Sequence, residues 1–262
     1  MATPYPLPGD LTVTPGARPR MLAGRPDRSF VLLIHGFTGF NRDLLALGEA
    51  LNSAGHTVML PRLPGHGTGN LDFRKTGWRD WLRHTVDAYL DLRVQAGVQN
   101  IVVGGLSMGG LLATLLASQF PVSGLMLYAP AFRVSNPLVR LSPALRWLVP
   151  PLRVPTPEHY EDPERQYMAD QYWNWQWPAQ VASLYRLMRL AGAALPGIQV
   201  PTLTVVSDAD RTVPPSVLDL VRQRARRADH TGLRLTESGH VVTDGVERER
   251  VISASLEWME GR

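Results

Sequence analysis

A serine flanked by glycines carries the clearest chemical signal in this chain. The segment Gly105-Leu106-Ser107-Met108-Gly109 fits the pattern G-x-S-x-G and lies between an apolar run and a helical pattern. The turn that this pattern forms is so sharp that larger side chains two positions before or after the serine would clash. The alternative is a glycine-rich phosphate loop, but that loop requires a lysine and none is near. The motif therefore predicts that Ser107 is a nucleophile.

A serine hydroxyl is a poor nucleophile unless a base accepts its proton, and in this arrangement the base is the last of the catalytic residues along the chain. Two histidines, His230 and His240, follow the late apolar run 202–206. His230 falls in a predicted helix-to-strand connection, whereas His240 follows Gly239 on a loop before the last predicted helix. We therefore expect His240 to be the base. Earlier in the chain, we expect His35 to brace a loop and His66 to be structural.

The acid of such a site holds the imidazole in one tautomer and should follow the strand that precedes the base. Asp208 and Asp210 both follow the run 202–206. The Val-Pro-Pro sequence after Asp210 restricts its backbone, so we favour Asp210 and expect Asp208 to make hydrogen bonds within the turn. Asp244, near the candidate base, is a further candidate. The expected triad in chain order is Ser107, Asp210 and His240.

An acyl-transfer serine also needs an oxyanion hole, which two backbone N–H groups form in this type of fold. One donor is the residue after the nucleophile, here Met108. The other comes from a loop after an early strand, and His35-Gly36-Phe37-Thr38-Gly39 follows the apolar run 30–34. The glycines would let this backbone approach a substrate carbonyl. We expect Phe37 to be the second donor.

Short apolar runs alternate with helical patterns along most of the chain, which is typical of a doubly wound α/β fold with a mostly parallel sheet. A continuous apolar run such as 30–34 indicates a strand that is buried on both faces. The predicted strands cover residues 30–34, 56–60, 101–104, 122–128, 202–206 and 233–235. The predicted helices cover residues 44–54, 78–96, 108–118, 216–227 and 246–259.

Residues 131–195 interrupt this alternation and are rich in proline and tryptophan. An interruption of this length between two strands is better explained by an inserted cap than by a loop without structure. Its aromatic side chains, Trp173, Trp175 and Trp177 among them, could line an apolar substrate pocket or pack the cap onto the body. The expected organisation is an N-terminal extension or edge strand over 1–27, a core over 28–130 and 196–262, and a cap over 131–195.

Length and composition exclude several classes of protein. The 262 residues fit one α/β domain, and the absence of cysteine excludes disulfide frameworks, thiol nucleophiles and cysteine metal sites. The net charge of +4 comes almost wholly from arginine, and no aromatic residue lies within the densest basic run, 222–227. We therefore expect no nucleic-acid partner. No apolar run approaches the roughly 20 residues of a membrane span, so we expect a cytoplasmic protein without membrane insertion. We also expect a monomer or a homodimer.

The motifs together resemble the α/β-hydrolase superfamily and, within it, the bacterial carboxylesterase and monoacylglycerol lipase group. The resemblance spans residues 28–260 and weakens over 131–195. It rests on the nucleophile motif and on segments 35–39, 64–67, 210–214 and 238–241. It implies hydrolysis of short- to medium-chain acyl esters, with neither a metal nor an organic cofactor. Ser107 would attack the ester carbonyl, His240 would accept its proton, and Phe37 and Met108 would bind the oxyanion.

Several other activities fit the same catalytic residues. A carbon–carbon bond hydrolase, a thioesterase and a perhydrolase all use this triad, and a noncatalytic binding protein could share the fold. Epoxide hydrolases and dehalogenases are disfavoured because they carry an aspartate at the position of Ser107. The apolar strand ends and the aromatic cap favour an acyl chain over a charged substrate.

Overall fold

A seven-stranded, mostly parallel sheet forms the centre of the molecule. The computed structural model describes residues 13–95, 100–146, 148–154 and 159–261. The strands are β1 (Arg20–Leu22), β2 (Phe30–Ile34), β3 (Thr57–Leu60), β4 (Ile101–Leu106), β5 (Gly124–Tyr128), β6 (Leu152–Arg153), β7 (Trp175–Gln176), β8 (Thr202–Ser207) and β9 (His230–Leu235). The sheet has the order β1-β3-β2-β4-β5-β8-β9, and within it only the edge strand β1 runs antiparallel to its neighbour.

Helices cover both faces of this sheet. They are α1 (Arg42–Ser53), α2 (Asn70–Phe73), α3 (Trp78–Arg93), α4 (Met108–Ala117), α5 (Ser142–Leu145), α6 (Pro163–Met168), α7 (Pro178–Ala194), α8 (Val217–Arg224) and α9 (Arg248–Glu260). Helices α1 and α9 pack on one face, and α3, α4, α7 and α8 pack on the other. None of the described helices is long and apolar enough to cross a membrane.

Strand β2 shows why its run of apolar residues is continuous. Leu32 and Ile34 belong to the core that contains α3 and α4, whereas Val31 and Leu33 belong to the core that contains α1 and α9. Successive side chains of a strand point to opposite faces, so a strand covered by helices on both sides has no polar face. The predicted α/β architecture is confirmed, with most element boundaries shifted by a few residues.

The last strand of the sheet begins earlier than predicted. His230 is the first residue of β9 and pairs with Thr202, so the expectation that it lies in a connection is wrong. Its ring nitrogen Nε2 is 3.0 Å from the hydroxyl of Thr204. Strand β9 lies at the edge of the sheet and is only partly covered, so its first residues carry no apolar pattern that would reveal them.

The interval 131–195 contains regular structure that the sequence pattern did not reveal. Strands β6 and β7 form a small antiparallel pair. The long helix α7 packs against α3 and α4, with Leu187 and Ala191 buried in the shared core. The second half of the interval therefore extends a helical layer of the body. The division into core and cap stays a prediction, and residues 1–12 of the predicted N-terminal extension lie outside the described residues.

Candidate active site

Ser107 occupies the turn between β4 and α4 in a strained backbone conformation. Its φ of 54° lies in the left-handed region, which residues other than glycine rarely adopt. A Cβ atom on Gly105 would overlap the backbone of Gly109, and one on Gly109 would overlap the carbonyl oxygen of Ile34. The amide of Ser107 donates a hydrogen bond to the carbonyl of Tyr128 on β5 (2.8 Å). The two glycines therefore permit a turn that the neighbouring strand holds in place.

His240 links the serine to an aspartate. Its Nε2 atom is 2.9 Å from Oγ of Ser107, and its Nδ1 atom is 2.8 Å from Oδ2 of Asp210. The three side chains come from the ends of β4, β8 and β9, which lie at the same edge of the sheet. Glu247 supports the loop that carries the histidine, because its carboxylate accepts hydrogen bonds from the amides of Glu237 and Ser238. In this order of a hydroxyl, an imidazole and a buried carboxylate, the imidazole could accept the proton of the hydroxyl while the carboxylate orients the ring.

The carboxylate of Asp210 is almost completely buried, with 1% of the side chain exposed. Its second oxygen, Oδ1, accepts hydrogen bonds from the amides of Thr212 (2.7 Å) and Val213 (3.0 Å). These two bonds orient the carboxylate, while the first oxygen faces the imidazole of His240. Asp210 is therefore held in one position by its own loop.

The two alternative aspartates have other partners. The carboxylate of Asp208 accepts a hydrogen bond from Nε of Arg234 (2.6 Å), and 38% of its side chain is exposed. Asp244 pairs with Arg165 at 3.1 Å and with Arg248 at 3.6 Å. Of the three candidates, the structure brings Asp210 to the histidine.

The two residues expected to form an oxyanion hole lie next to the serine, Met108 in the chain and Phe37 on a neighbouring loop. Met108 is the first residue of α4, where the amide has no acceptor within the helix. The loop that carries Phe37 lies against the serine, since a Cβ atom on Gly36 would be 3.4 Å from Cβ of Ser107. The positions of both residues are therefore compatible with the expected oxyanion hole.

Two buried histidines brace that loop. His35 donates from Nδ1 to the carbonyl of Gly36 (3.0 Å) and accepts from the amide of Leu63 at Nε2 (3.1 Å). Burial lowers the pKa of His35 to about 4, so the ring is neutral and keeps this pattern of hydrogen bonds. His66 accepts a hydrogen bond from the amide of Thr38 (3.3 Å). The loop is therefore held by two buried rings whose hydrogen bonds go to backbone groups.

A pocket of about 340 Å³ lies in front of Ser107, and one side of it is charged. Asp43 of α1, Arg165 of α6 and Asp244 all line it, none of which was selected from the sequence as a pocket residue. The carboxyl of Asp43 accepts a hydrogen bond from the amide of Phe40 (3.2 Å), and burial raises its pKa to about 7. The pocket is therefore less apolar than the sequence pattern indicates.

The three aromatic residues of the predicted cap have different positions. Trp173 lines the pocket and donates from Nε1 to the carbonyl of Thr38 (3.1 Å). Trp177 is buried and packs edge-on against Phe73, with 5.0 Å between ring centroids. Trp175 stacks on Trp177 at 5.6 Å. Of the three residues, Trp173 therefore lines the pocket, and Trp175 and Trp177 pack against other aromatic side chains.

This difference predicts distinct effects of two truncations. Trp173→Ala should change the relative rates on short and long acyl esters, because it removes part of the pocket wall. Trp177→Ala should instead lower the free energy of unfolding by about 3–5 kcal/mol, because it removes a large buried side chain. Ester kinetics and urea unfolding of both variants measure these effects. An unchanged chain-length preference in Trp173→Ala would contradict its placement at the substrate.

Among the described residues, no group of three or more histidine, aspartate or glutamate side chains is arranged to hold a metal ion.

Known proteins with similar sequences are named as esterases and lipases. The chain is 34% identical over 229 residues to a thermostable monoacylglycerol lipase of Bacillus sp. (strain H-257), an alignment that covers 87% of this chain and 89% of that protein. It is 26% identical over 232 residues to a carboxylesterase of Bacillus subtilis (strain 168), covering 88% and 92% of the two chains.

The fold and the family agree with these similarities. A solved chain from work on LipS and LipT, two metagenome-derived lipolytic enzymes, superimposes with a TM-score of 0.83 and 29% identity, covering 96% of this chain and 100% of that one. Residues 31–254 match the alpha/beta hydrolase family. The resemblance expected from the motifs is thus confirmed. The chain belongs to the alpha/beta hydrolase family and, within it, to the group of bacterial carboxylesterases and monoacylglycerol lipases.

Proposed function

We propose that this carboxylic ester hydrolase cleaves short- to medium-chain acyl esters through a covalent acyl-enzyme on Ser107. The observation that carries the proposal is the position of His240, whose two ring nitrogens lie at 2.9 Å and 2.8 Å from Ser107 and Asp210. The names of the relatives, a monoacylglycerol lipase and a carboxylesterase, support the same reaction class.

In the first half of the reaction, Nε2 of His240 accepts the proton of Ser107 as Oγ attacks the ester carbonyl. Asp210 holds the proton on Nδ1, so that Nε2 is free to accept, and stabilises the imidazolium that forms. The amides of Phe37 and Met108 donate hydrogen bonds to the developing oxyanion. The imidazolium then protonates the alcohol, which leaves.

In the second half, a water molecule replaces the alcohol. His240 accepts a proton from this water, which attacks the carbonyl of the acyl-enzyme. The imidazolium returns the proton to Oγ of Ser107 as the acid product is released. The same base thus serves both halves of the reaction, and no metal or organic cofactor takes part in the proposed mechanism.

The volume and the lining of the pocket support the proposed substrate class. Its volume of about 340 Å³ lies near the lower end of the range of ligand sites, about 300–1,000 Å³. Phe37 and Trp173 give it an aromatic side, whereas Asp43 and Arg165 offer hydrogen bonds to polar groups of a substrate. Esters with a hydroxylated alcohol, monoacylglycerols among them, fit this combination.

The proposal is tested with a series of p-nitrophenyl esters from acetate to palmitate. We expect the highest kcat/KM with acyl chains of about four to ten carbons, because longer chains exceed the pocket. Enzyme treated with an active-site-directed phosphonate is the blank, and mass spectrometry locates the adduct. Hydrolysis that persists after modification of Ser107 would contradict the proposal. Turnover of thioesters or of a carbon–carbon substrate, with no activity on any oxygen ester, would favour those alternatives.

A further inference from the structure

A second and larger concavity lies on the side of the molecule formed by α7 and α8. Its volume is about 690 Å³. The residues after β5, the turn Pro137–Leu141 and both helices form its walls. Among the described residues, those that line this concavity and those that line the pocket in front of Ser107 do not overlap. We call this concavity the arginine groove.

Four arginines make the groove positively charged. Arg133, Arg140, Arg189 and Arg224 line it, and among the described residues that line it none is acidic. None of the four forms a salt bridge with a described carboxylate, although Arg224 donates a hydrogen bond to the carbonyl of Gly192 (3.3 Å). Four exposed guanidinium groups around one concavity make the electrostatic potential there positive, which favours the binding of an anion.

One carboxylate lies close to two of the four arginines. Asp219 lines a smaller depression next to the groove, together with Arg133 and Arg224. No salt bridge joins Asp219 to either arginine. Arg140 and Arg189 are not part of that depression, and they therefore provide the clearest test of an anion site.

Apolar side chains lie between the charges. Phe132, Met188 and Leu220 are among the residues that line the groove. An inorganic anion would leave this apolar surface without a partner, whereas an alkyl chain would cover it. A guanidinium also binds a carboxylate through two parallel hydrogen bonds. A ligand with an anionic head and an apolar tail would therefore use both features.

We propose that the arginine groove binds a fatty-acid carboxylate, with its head among the arginines and its alkyl chain along the apolar wall. The preference for a carboxylate over a phosphate head rests on the proposed function, since hydrolysis of an acyl ester releases a carboxylate. The groove adjoins the loop of the candidate acid, because the amide of Ser135 donates a hydrogen bond to the carbonyl of Thr212 (2.9 Å).

Equilibrium binding of dodecanoate, measured by calorimetry below its micelle concentration, tests the proposal without relying on hydrolysis. Arg189→Gln should weaken binding about tenfold, because it removes one charge-assisted hydrogen bond. Arg186→Gln is the matched control, since Arg186 lies on the same helix, is exposed and does not line the groove. It should change the affinity less than twofold. Equal effects of the two substitutions would overturn the proposal.

Two further ligands separate the contributions of the head and the tail. Dodecanol, which lacks the charge, should bind at least about tenfold more weakly than dodecanoate. Each methylene added between octanoate and dodecanoate should tighten binding about two- to fourfold. Affinity that does not depend on chain length would overturn the assignment of the apolar wall. Tighter binding of dodecyl phosphate than of dodecanoate would overturn the carboxylate head.

A variant of the other pocket shows where the fatty acid binds. Trp173→Ala alters the pocket in front of Ser107 and should leave the affinity for dodecanoate unchanged. A loss of more than fivefold would place the fatty acid in that pocket and overturn the proposal. Failure of the proposed function would give a different result: ester hydrolysis would be absent, while dodecanoate would still bind to the groove.

Discussion

Replacing Ser107 with alanine should lower kcat for p-nitrophenyl butyrate by about 10⁶-fold. The substitution removes the atom that forms the acyl-enzyme and leaves His240 without a proton to accept, so that only binding and oxyanion stabilisation remain. The turn itself should persist, because its backbone hydrogen bonds to Tyr128 and Ala131 do not involve the hydroxyl. Initial rates, together with thermal unfolding of the same preparation, measure both effects.

Replacement of Ser118 with alanine provides the control for this experiment. Ser118 follows α4, and its hydroxyl donates a hydrogen bond to the carbonyl of Leu115 (2.8 Å). The Ser118 hydroxyl takes no part in the hydrogen bonds that join Ser107, His240 and Asp210, so Ser118→Ala should retain normal kinetics. An activity of Ser107→Ala within tenfold of the unmodified enzyme would contradict the assignment of Ser107 as nucleophile.

Asp210→Asn should reduce kcat by about 10⁴-fold with little change in the fold. An amide fills nearly the same volume, but it no longer fixes the proton on Nδ1 of His240 or stabilises the imidazolium. The histidine can then present a protonated Nε2 to Ser107, and in that state it cannot accept a proton. The measurement is kcat on the same ester, with circular dichroism as the check on folding.

Asp208→Asn is the matched control for the acid, because it changes the same chemical group two residues away. Asp208 pairs with Arg234 at the surface, and removing this pair should alter kcat less than about twofold. If Asp208→Asn lowered kcat as strongly as Asp210→Asn, the loop rather than one carboxylate would be responsible. Normal kcat in Asp210→Asn would contradict its proposed role.

The features that could be predicted from the sequence are those with a local cause. The turn at Ser107 requires small residues two positions before and two positions after it, and Gly105 and Gly109 show this requirement in the chain itself. Strand β2 is covered on both faces, so its five residues are all apolar. Asp210 and His240 could be proposed because each follows a late predicted strand, and the carboxyl ends of parallel strands lie at one edge of the sheet.

Other features depend on contacts between distant parts of the chain. Asp43 lies on α1 and Arg165 lies on α6, and no pattern in the sequence indicates that both line one pocket. The roles of the aromatic residues of the predicted cap could not be predicted for a different reason. A π-helical turn ends at Trp173 and β7 begins at Trp175, so the spacing of these residues matches neither an α-helix nor a single strand. Their separate roles could not be predicted from periodicity.

The sheet order has a consequence for the synthesis of the protein. The backbone of Ser107 forms hydrogen bonds with Tyr128 and Ala131, which are synthesised soon after it. The contact between Ser107 and His240, in contrast, joins residues 133 positions apart and requires β8 and β9 to pair with the sheet. Parallel pairings between distant segments form slowly. A growing chain would therefore carry an inert serine until its last third has folded, and the hydroxyl would gain its reactivity as one of the final events of folding.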